Sequence, residues 1–294
     1  MTGIKDTAVA ALRRAPLPVV APLVRRRIRR AQADPETVAV AHRQMEFVLG
    51  ASRPDADLDA VAPRHLADMI WRRELRWRPR TVTRQDVTGI ENLTASREPG
   101  QGLLVAFLHH GHYEGIFGAM AAAGAERLFV AAGKGMFQPD TPPHLHALGR
   151  TVETGATMMS TTVGYAGYRD VLVDGRVFAI AVDLPGSSNV RFLGRDLRAA
   201  TGVARLSKET GAAVVLATAS QHDRAMQRLT LSEPISPDDH PDTASLLQAI
   251  FDGLEASVLA WPEAYEWPRA HFVQLDAAGE TVAYAPDPGE PVFA

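Results

Sequence analysis

Gly102-Leu103-Leu104-Val105-Ala106-Phe107-Leu108-His109-His110-Gly111-His112-Tyr113-Glu114-Gly115 runs an apolar segment straight into a titratable turn. Six consecutive apolar residues bounded by Gly102 and His109 predict a strand buried on both faces, too short for a core helix. In an open α/β sheet, ligands gather where strands end. Three histidines and a glutamate between positions 109 and 114 are costly to bury and unnecessary for solubility. The candidate site is therefore placed at this strand end.

Two chemical readings fit the spacing. In the first, His109 ends the strand and Glu114 lies in the first turn of the following helix, where its carboxylate can accept the Nδ1 proton. That would leave Nε2 as a general base toward a hydroxyl or amine. Gly111 lets the backbone turn and approach a ligand. In the second, His110, His112 and Glu114 alternate as ligands to a divalent metal such as zinc. That pattern resembles the H-x-H-x-D-H signature of metallo-β-lactamase-like hydrolases, with Gly115 where the signature carries histidine. His144, His146, His222, His240 and His271 lack a ligand-motif context.

Composition narrows the class. The chain has 294 residues, 46% of them hydrophobic, enough for one large α/β core with a helical addition. It has no cysteine, which removes disulfides, thiolate nucleophiles and Cys-ligated zinc and suits a reducing cytoplasm. A formal net charge of −3 argues against a nucleic-acid-binding protein, which needs a basic surplus on a face. Lysine occurs only at Lys5, Lys134 and Lys208, and no acid stands between Asp6 and Asp34, while Arg13, Arg14, Arg25, Arg26, Arg27, Arg29 and Arg30 accumulate there. This basic arm, residues 1–33, suits either solvent or an anionic membrane surface. Its apolar stretch Ala15 to Val24 is ten residues long and contains three prolines, so it cannot span a bilayer.

Helical spacing predicts a helix from Pro35 to Gly50, opened by Asp34-Pro35-Glu36, and a second over Pro63 to Trp77 with its arginines on the outer face. A strand is expected over Val82 to Val87 and a turn or helix over Gly89 to Ala95. After the Leu103 to Leu108 strand, helices over Ile116 to Ala123, Tyr165 to Val173 and Ala200 to Thr210 alternate with strands over Leu128 to Ala132, Val177 to Val182 and Ala213 to Ala219. A further strand at Met226 to Leu231 and a closing helix over Thr243 to Leu259 follow. This alternation predicts an α/β fold with a mostly parallel central sheet flanked by helices and preceded by an N-terminal helical section. Asp183 opens the polar segment Asp183-Leu184-Pro185-Gly186-Ser187-Ser188-Asn189 at another strand end, read as a loop able to line a site. Thr201 stands where a helix start could offer amides to a phosphate or carbonyl, or simply cap that helix.

Together these pieces resemble the lysophospholipid acyltransferase superfamily, in the branch of the lipid A late acyltransferases and mycobacterial phosphatidylinositol mannoside acyltransferases. The resemblance rests on His109-His110-Gly111-His112-Tyr113-Glu114, Val87-Thr88-Gly89-Ile90-Glu91-Asn92-Leu93, Asp183 with Phe192-Leu193-Gly194, Ala200-Thr201-Gly202, and Pro262-Glu263-Ala264-Tyr265-Glu266-Trp267, in collinear order. It departs from the branch at His112 for asparagine, at Leu184 for glutamine and in a shortened threonine-rich helix start. It implies a glycerol-phosphate-acyltransferase-like fold and acyl transfer from acyl-CoA or an acyl carrier protein to a hydroxyl or amine, with no metal and no cofactor. His109 would be the general base and Glu114 its orienting partner, with Gly111, His112, Arg150, Asp183 and Thr201 around the substrate. The implied organisation is a single α/β domain over 34–272, including helices within 34–79, and an irregular tail over 273–294. The implied setting is the cytoplasm, with peripheral contact to the inner face of the plasma membrane. Two other readings stay open: a metal-dependent hydrolase using His110, His112 and Glu114, and a non-catalytic acyl- or lipid-binding protein of the same fold.

Overall fold

The structure, a computed structural model, describes residues 11–94, 100–222, 226–276, 278–282, 286–289 and 291. An N-terminal helical layer comprises α1 (Leu17–Gln32), α2 (Pro35–Leu49), α3 (Leu58–Leu75) and the single turn α4 (Pro79–Val82). The α/β body follows as β1 (Asp86–Thr88), β2 (Leu103–Phe107), α5 (Ile116–Ala122), β3 (Leu128–Ala132), α6 (Pro143–Val152), β4 (Ala156–Ser160), α7 (Gly164–Val173) and β5 (Val177–Ala181). It continues with β6 (Pro185–Phe192), β7 (Arg195–Ala199), α8 (Gly202–Thr210), β8 (Ala213–Ser220), β9 (Arg228–Leu231), α9 (Thr243–Ala260) and β10 (Val273–Gln274).

Seven strands form one sheet in the order β1-β9-β8-β2-β5-β3-β4. The pairs β8/β2, β2/β5, β5/β3 and β3/β4 are parallel, and β9 runs antiparallel to β8. Strand β2 sits in the middle, between β5 and β8, and is fully buried. Its side chains alternate between faces as strand geometry requires. Leu104, Ala106 and Leu108 join the core beneath α7, α8 and α9, while Leu103, Val105 and Phe107 join the core shared with α5 and α6. A central strand with both faces covered delivers its carboxyl end, His109, to a fixed point, which is the fold's main service to the site.

Several elements differ from expectation for identifiable reasons. The basic arm contains an ordered helix: Val20, Val24 and Ile28 of α1 are buried at four-residue spacing, Val24 and Ile28 in a cluster with Ile70, Leu66 and Trp71 of α3. Helix α3 begins five residues before Pro63, because the Asp57 side chain caps it by accepting from the Ala60 amide at 3.0 Å. The strand expected over 82–87 shrinks to Asp86–Thr88 behind the α4 turn. Helix α6, strand β4 and the β6–β7 hairpin were not anticipated. The polar segment after Asp183 is mostly strand: β6 and β7 pair antiparallel through the two-residue turn Leu193-Gly194, both with positive φ (55° and 70°), the turn type that matches strand twist. A short second sheet, β10-β7-β6, results, so the segment after 272 opens on a strand before continuing to Asp287. That carboxylate is buried, accepting from Arg43 Nε at 3.0 Å, Gln44 Nε2 at 2.9 Å and Arg269 Nη1 at 3.0 Å.

Candidate active site

At the end of β2 the chain turns through Gly111, whose φ of +66° suits glycine. A Cβ there would sit 2.4 Å from Gln227 Oε1 and 2.5 Å from Ala219 Cβ. The turn is fastened on the other side by the Pro262–Ala264 turn and the residues after it. His110 and Tyr265 form an antiparallel bridge, the Gly111 amide donates to the Ala264 carbonyl at 3.1 Å, and the Glu266 amide donates to the His109 carbonyl at 3.0 Å. Arg72 of α3, only 1% exposed, donates to the carbonyls of both Gly111 and Ala264 and to Asp68 Oδ2 at 2.6 Å. Two sequence motifs, around Gly111 and Ala264, are thus held as one unit by a buried arginine.

His109 is gripped by Asp183, which follows β5 on the neighbouring strand. Its backbone N–H donates to Asp183 Oδ2 at 2.9 Å, and its Nδ1 lies 2.9 Å from Oδ1. Asp183 is fully buried. Burial alone would raise its pKa, but His109 and His271 lower it on balance and keep it ionised. Burial also disfavours a charged His109, yet the Asp183 charge and hydrogen bond outweigh that and raise its pKa above the ordinary histidine value. An ionised Asp183 can only accept, so Nδ1 carries the proton and the base position falls on Nε2. The partner expected on Nδ1 was Glu114, and the geometry corrects this.

Glu114 is 1% exposed, and no donor among the described residues hydrogen-bonds its carboxyl oxygens. Burial raises its pKa against the opposing pull of Arg76 and Arg72. It sits behind the site as part of the electrostatic backing of those arginines. Arg76 forms a buried ion pair with Glu266, whose pKa falls to about 2 because Arg76 and Arg72 outweigh its burial.

His271, which offered no local signal in the sequence, completes the wall. Its ring stacks on that of His109 with centroids 4.6 Å apart, and its Nδ1 is 3.9 Å from Asp183 Oδ2. Its Nε2 donates to the Glu266 carbonyl at 2.8 Å, and burial lowers its pKa to about 4, so it stays neutral. Tyr113 packs edge-on against His109 at 4.7 Å, and burial raises its phenol well above the usual value, so it remains a donor.

These residues border a cavity of about 710 Å³. His109, His271, Tyr113, Arg76 and Glu266 lie along it, and Phe107, Phe117, Val130, Leu148, Val152 and Met158 give it an apolar wall on the α5–α6 side of the sheet. Trp267, at φ 49° a left-handed non-glycine residue, lines it too. Gly289 and Pro291, beyond the buried Asp287, line the same cavity.

The other sequence candidates do not line this cavity. Leu145, Leu148 and Val152 turn one face of α6 toward it, and Arg150, two residues from Leu148 and exposed, is carried to the other side. Thr201 precedes α8, whose buried residues Val203, Ala204 and Leu206 join the core on the opposite face of the sheet. His112 is locked into the scaffold: its N–H donates to Gln227 Oε1 at 2.7 Å, its carbonyl accepts from Gln85 at 3.0 Å, and burial lowers its pKa to about 3. His110 donates Nε2–H to the Trp261 carbonyl at 2.8 Å. Among the described residues, the three side chains whose ligand-type atoms converge are His109, Asp183 and His271, and not the set His110, His112 and Glu114. The arginines expected to be solvated on the helix over Pro63 to Trp77 include Arg72 and Arg76, both buried. An i,i+4 spacing of Asp68 to Arg72 was the available hint.

Comparison with known proteins agrees with the resemblance. No curated protein matches the sequence significantly. Among solved structures, the 1-acyl-sn-glycerophosphate acyltransferase PlsC from Thermotoga maritima is similar with a TM-score of 0.43 and 12% identity, over 78% of this chain and 97% of that one. The sequence profile of the bacterial lipid A biosynthesis acyltransferases matches residues 8–274, from α1 to β10. A match over so much of the chain means that it belongs to the bacterial lipid A biosynthesis acyltransferase family.

Proposed function

We propose that this acyltransferase moves an acyl group from a thioester donor, acyl-CoA or an acyl carrier protein, to a hydroxyl or amine acceptor, with His109 as the general base. The observation that carries the reading is His109, held at Nδ1 by an ionised buried Asp183, on the border of a cavity with a long apolar wall. Nε2 takes the proton of the acceptor O–H or N–H as the acceptor atom attacks the thioester carbonyl. The C–S bond then breaks, and the imidazolium returns the proton to the leaving thiolate. Each buried methylene of the acyl chain contributes about 0.8 kcal/mol to binding. Arg76 and Tyr113, both lining the cavity, replace Arg150 as the residues whose donors suit the tetrahedral oxyanion.

Release of free thiol from an acyl-CoA or acyl carrier protein, followed in the presence of candidate acceptors, tests this. His109→Ala is expected to lower the rate by about 10²–10⁴-fold, the usual worth of a general base. A variant working at the wild-type rate would sink the assignment. Binding of acyl chains with no thioester cleavage under any acceptor would favour the binding-protein reading instead.

The acceptor or donor reaches the cavity from a basic, partly apolar surface, which suits peripheral contact with an anionic membrane. No helix among the described residues is long and apolar enough to cross a bilayer. On α1, Val19 and Leu23 are 59% and 51% exposed and share a stripe with Arg26 and Arg30, the composition of an interfacial helix.

A further inference from the structure

The mouth of the cavity gathers positive charge that the acyl-transfer step does not use. Arg27 of α1 and Arg73 of α3 both line it and are both exposed. Two other cations stand close by. Arg76 lines the same cavity, and Arg13 lies over the Trp77 ring at 3.9 Å, Trp77 being another lining residue. Among the described residues, the carboxylates along the lining are committed elsewhere: Glu266 pairs with Arg76, and Glu74 pairs with Arg78 at 2.6 Å. Among the described residues, Arg27 and Arg73 pair with no carboxylate. The crowding is felt electrostatically. The pKa of Arg73 is lowered, first by partial desolvation of its guanidinium; Glu266 opposes this, and Arg76 and then Arg27 add to it. His144, on the same lining, is also lowered, by its burial first and then by Arg76 and Arg73.

Like charges brought together at a mouth repel one another, and a bound anion reverses the sign of that cost. Guanidinium groups match the geometry of phosphate oxygens and bind them through paired, charge-assisted hydrogen bonds. We infer that Arg27 and Arg73 form a phosphate-reading pair, holding a phosphate ester of the substrate at the mouth while its reactive carbon or oxygen lies at His109. This rests on the acyltransferase reading. The phosphate belongs to one of two sources, the nucleotide end of the thioester donor or the headgroup of a lipid acceptor, and the residues serve the same chemistry for either.

Two of the lining residues, Trp77 and Trp267, allow binding to be followed by intrinsic fluorescence without turnover. One arm titrates CoA against pantetheine, which lacks the phosphates; the other titrates detergent-dispersed phosphatidic acid against diacylglycerol. In the wild type, the phosphate-bearing member of at least one pair is expected to bind ten-fold or more tightly. Raising the salt concentration should narrow that gap, since the pair is exposed. In Arg27→Gln/Arg73→Gln the gap should close, and in Arg27→Lys/Arg73→Lys, which keeps the charge but loses the paired guanidinium geometry, only part of it should remain. A gap confined to CoA assigns the phosphate to the donor, and one confined to phosphatidic acid assigns it to the acceptor. Absence of a phosphate-dependent gap in both arms, or a gap the glutamine variant leaves intact, overturns the proposal. Failure of the catalytic reading is recognised separately, as thiol release that does not depend on His109.

Discussion

Asp183 holds His109 at two points, the backbone amide and Nδ1, so it fixes the position, tautomer and basicity of the ring together. A base must be neutral to work, so activity rises as pH climbs through the raised pKa of His109. Asp183→Asn removes the charge that raises it. The acidic limb of the profile of kcat/KM against pH is therefore expected to move to lower pH in this variant, while the plateau falls by at least ten-fold because the ring is no longer held in one tautomer. A limb that stays in place would show that another group sets it. His109 and Glu114 stood out in the sequence because they are five positions apart. The partnership with Asp183 did not, because a contact between neighbouring parallel strands leaves no trace in local spacing. For the same reason His271 was invisible, 162 residues away and recruited only by the fold of the Pro268–His271 turn.

At the scale of elements, hydrophobic periodicity located most of what the core buries, including β2, β5, β8 and α9. It failed where polar residues are structural. Arginines on α3 read as a solvated face although Arg72 spans two carbonyls in the interior, and the β6–β7 hairpin read as a loop because its exposed side is polar. Helix α1 combines both lessons, with Val20, Val24 and Ile28 inward and Val19 and Leu23 outward among arginines. If that outer stripe meets lipid, Val19→Ser/Leu23→Ser should weaken co-sedimentation with vesicles containing phosphatidylglycerol several-fold. The melting temperature should hardly change, because neither residue packs on α3. Equal binding to pure phosphatidylcholine vesicles would remove the anionic part of the proposal.

Across the whole molecule, the cavity is assembled from distant parts: β2, β5 and the α5–α6 side supply the base and the apolar wall, α1 and α3 supply the mouth, and Gly289 and Pro291 close one edge. Asp287 anchors that edge to Arg43, Gln44 and Arg269. Asp287→Ala is expected to raise amide exchange at positions 287 and 289 and to increase the donor KM severalfold, with exchange in β2 unchanged. An unaltered KM would mean that this edge does not contact substrate. The contact between Arg43 and Asp287 joins residues 244 positions apart, whereas His109 and Asp183 are 74 apart. Closing a longer loop costs more chain entropy, though the cost grows slowly with length. The base and the chamber that confines it are thus held by contacts of very different reach, and loosening the distant one opens the chamber while leaving the base assembled.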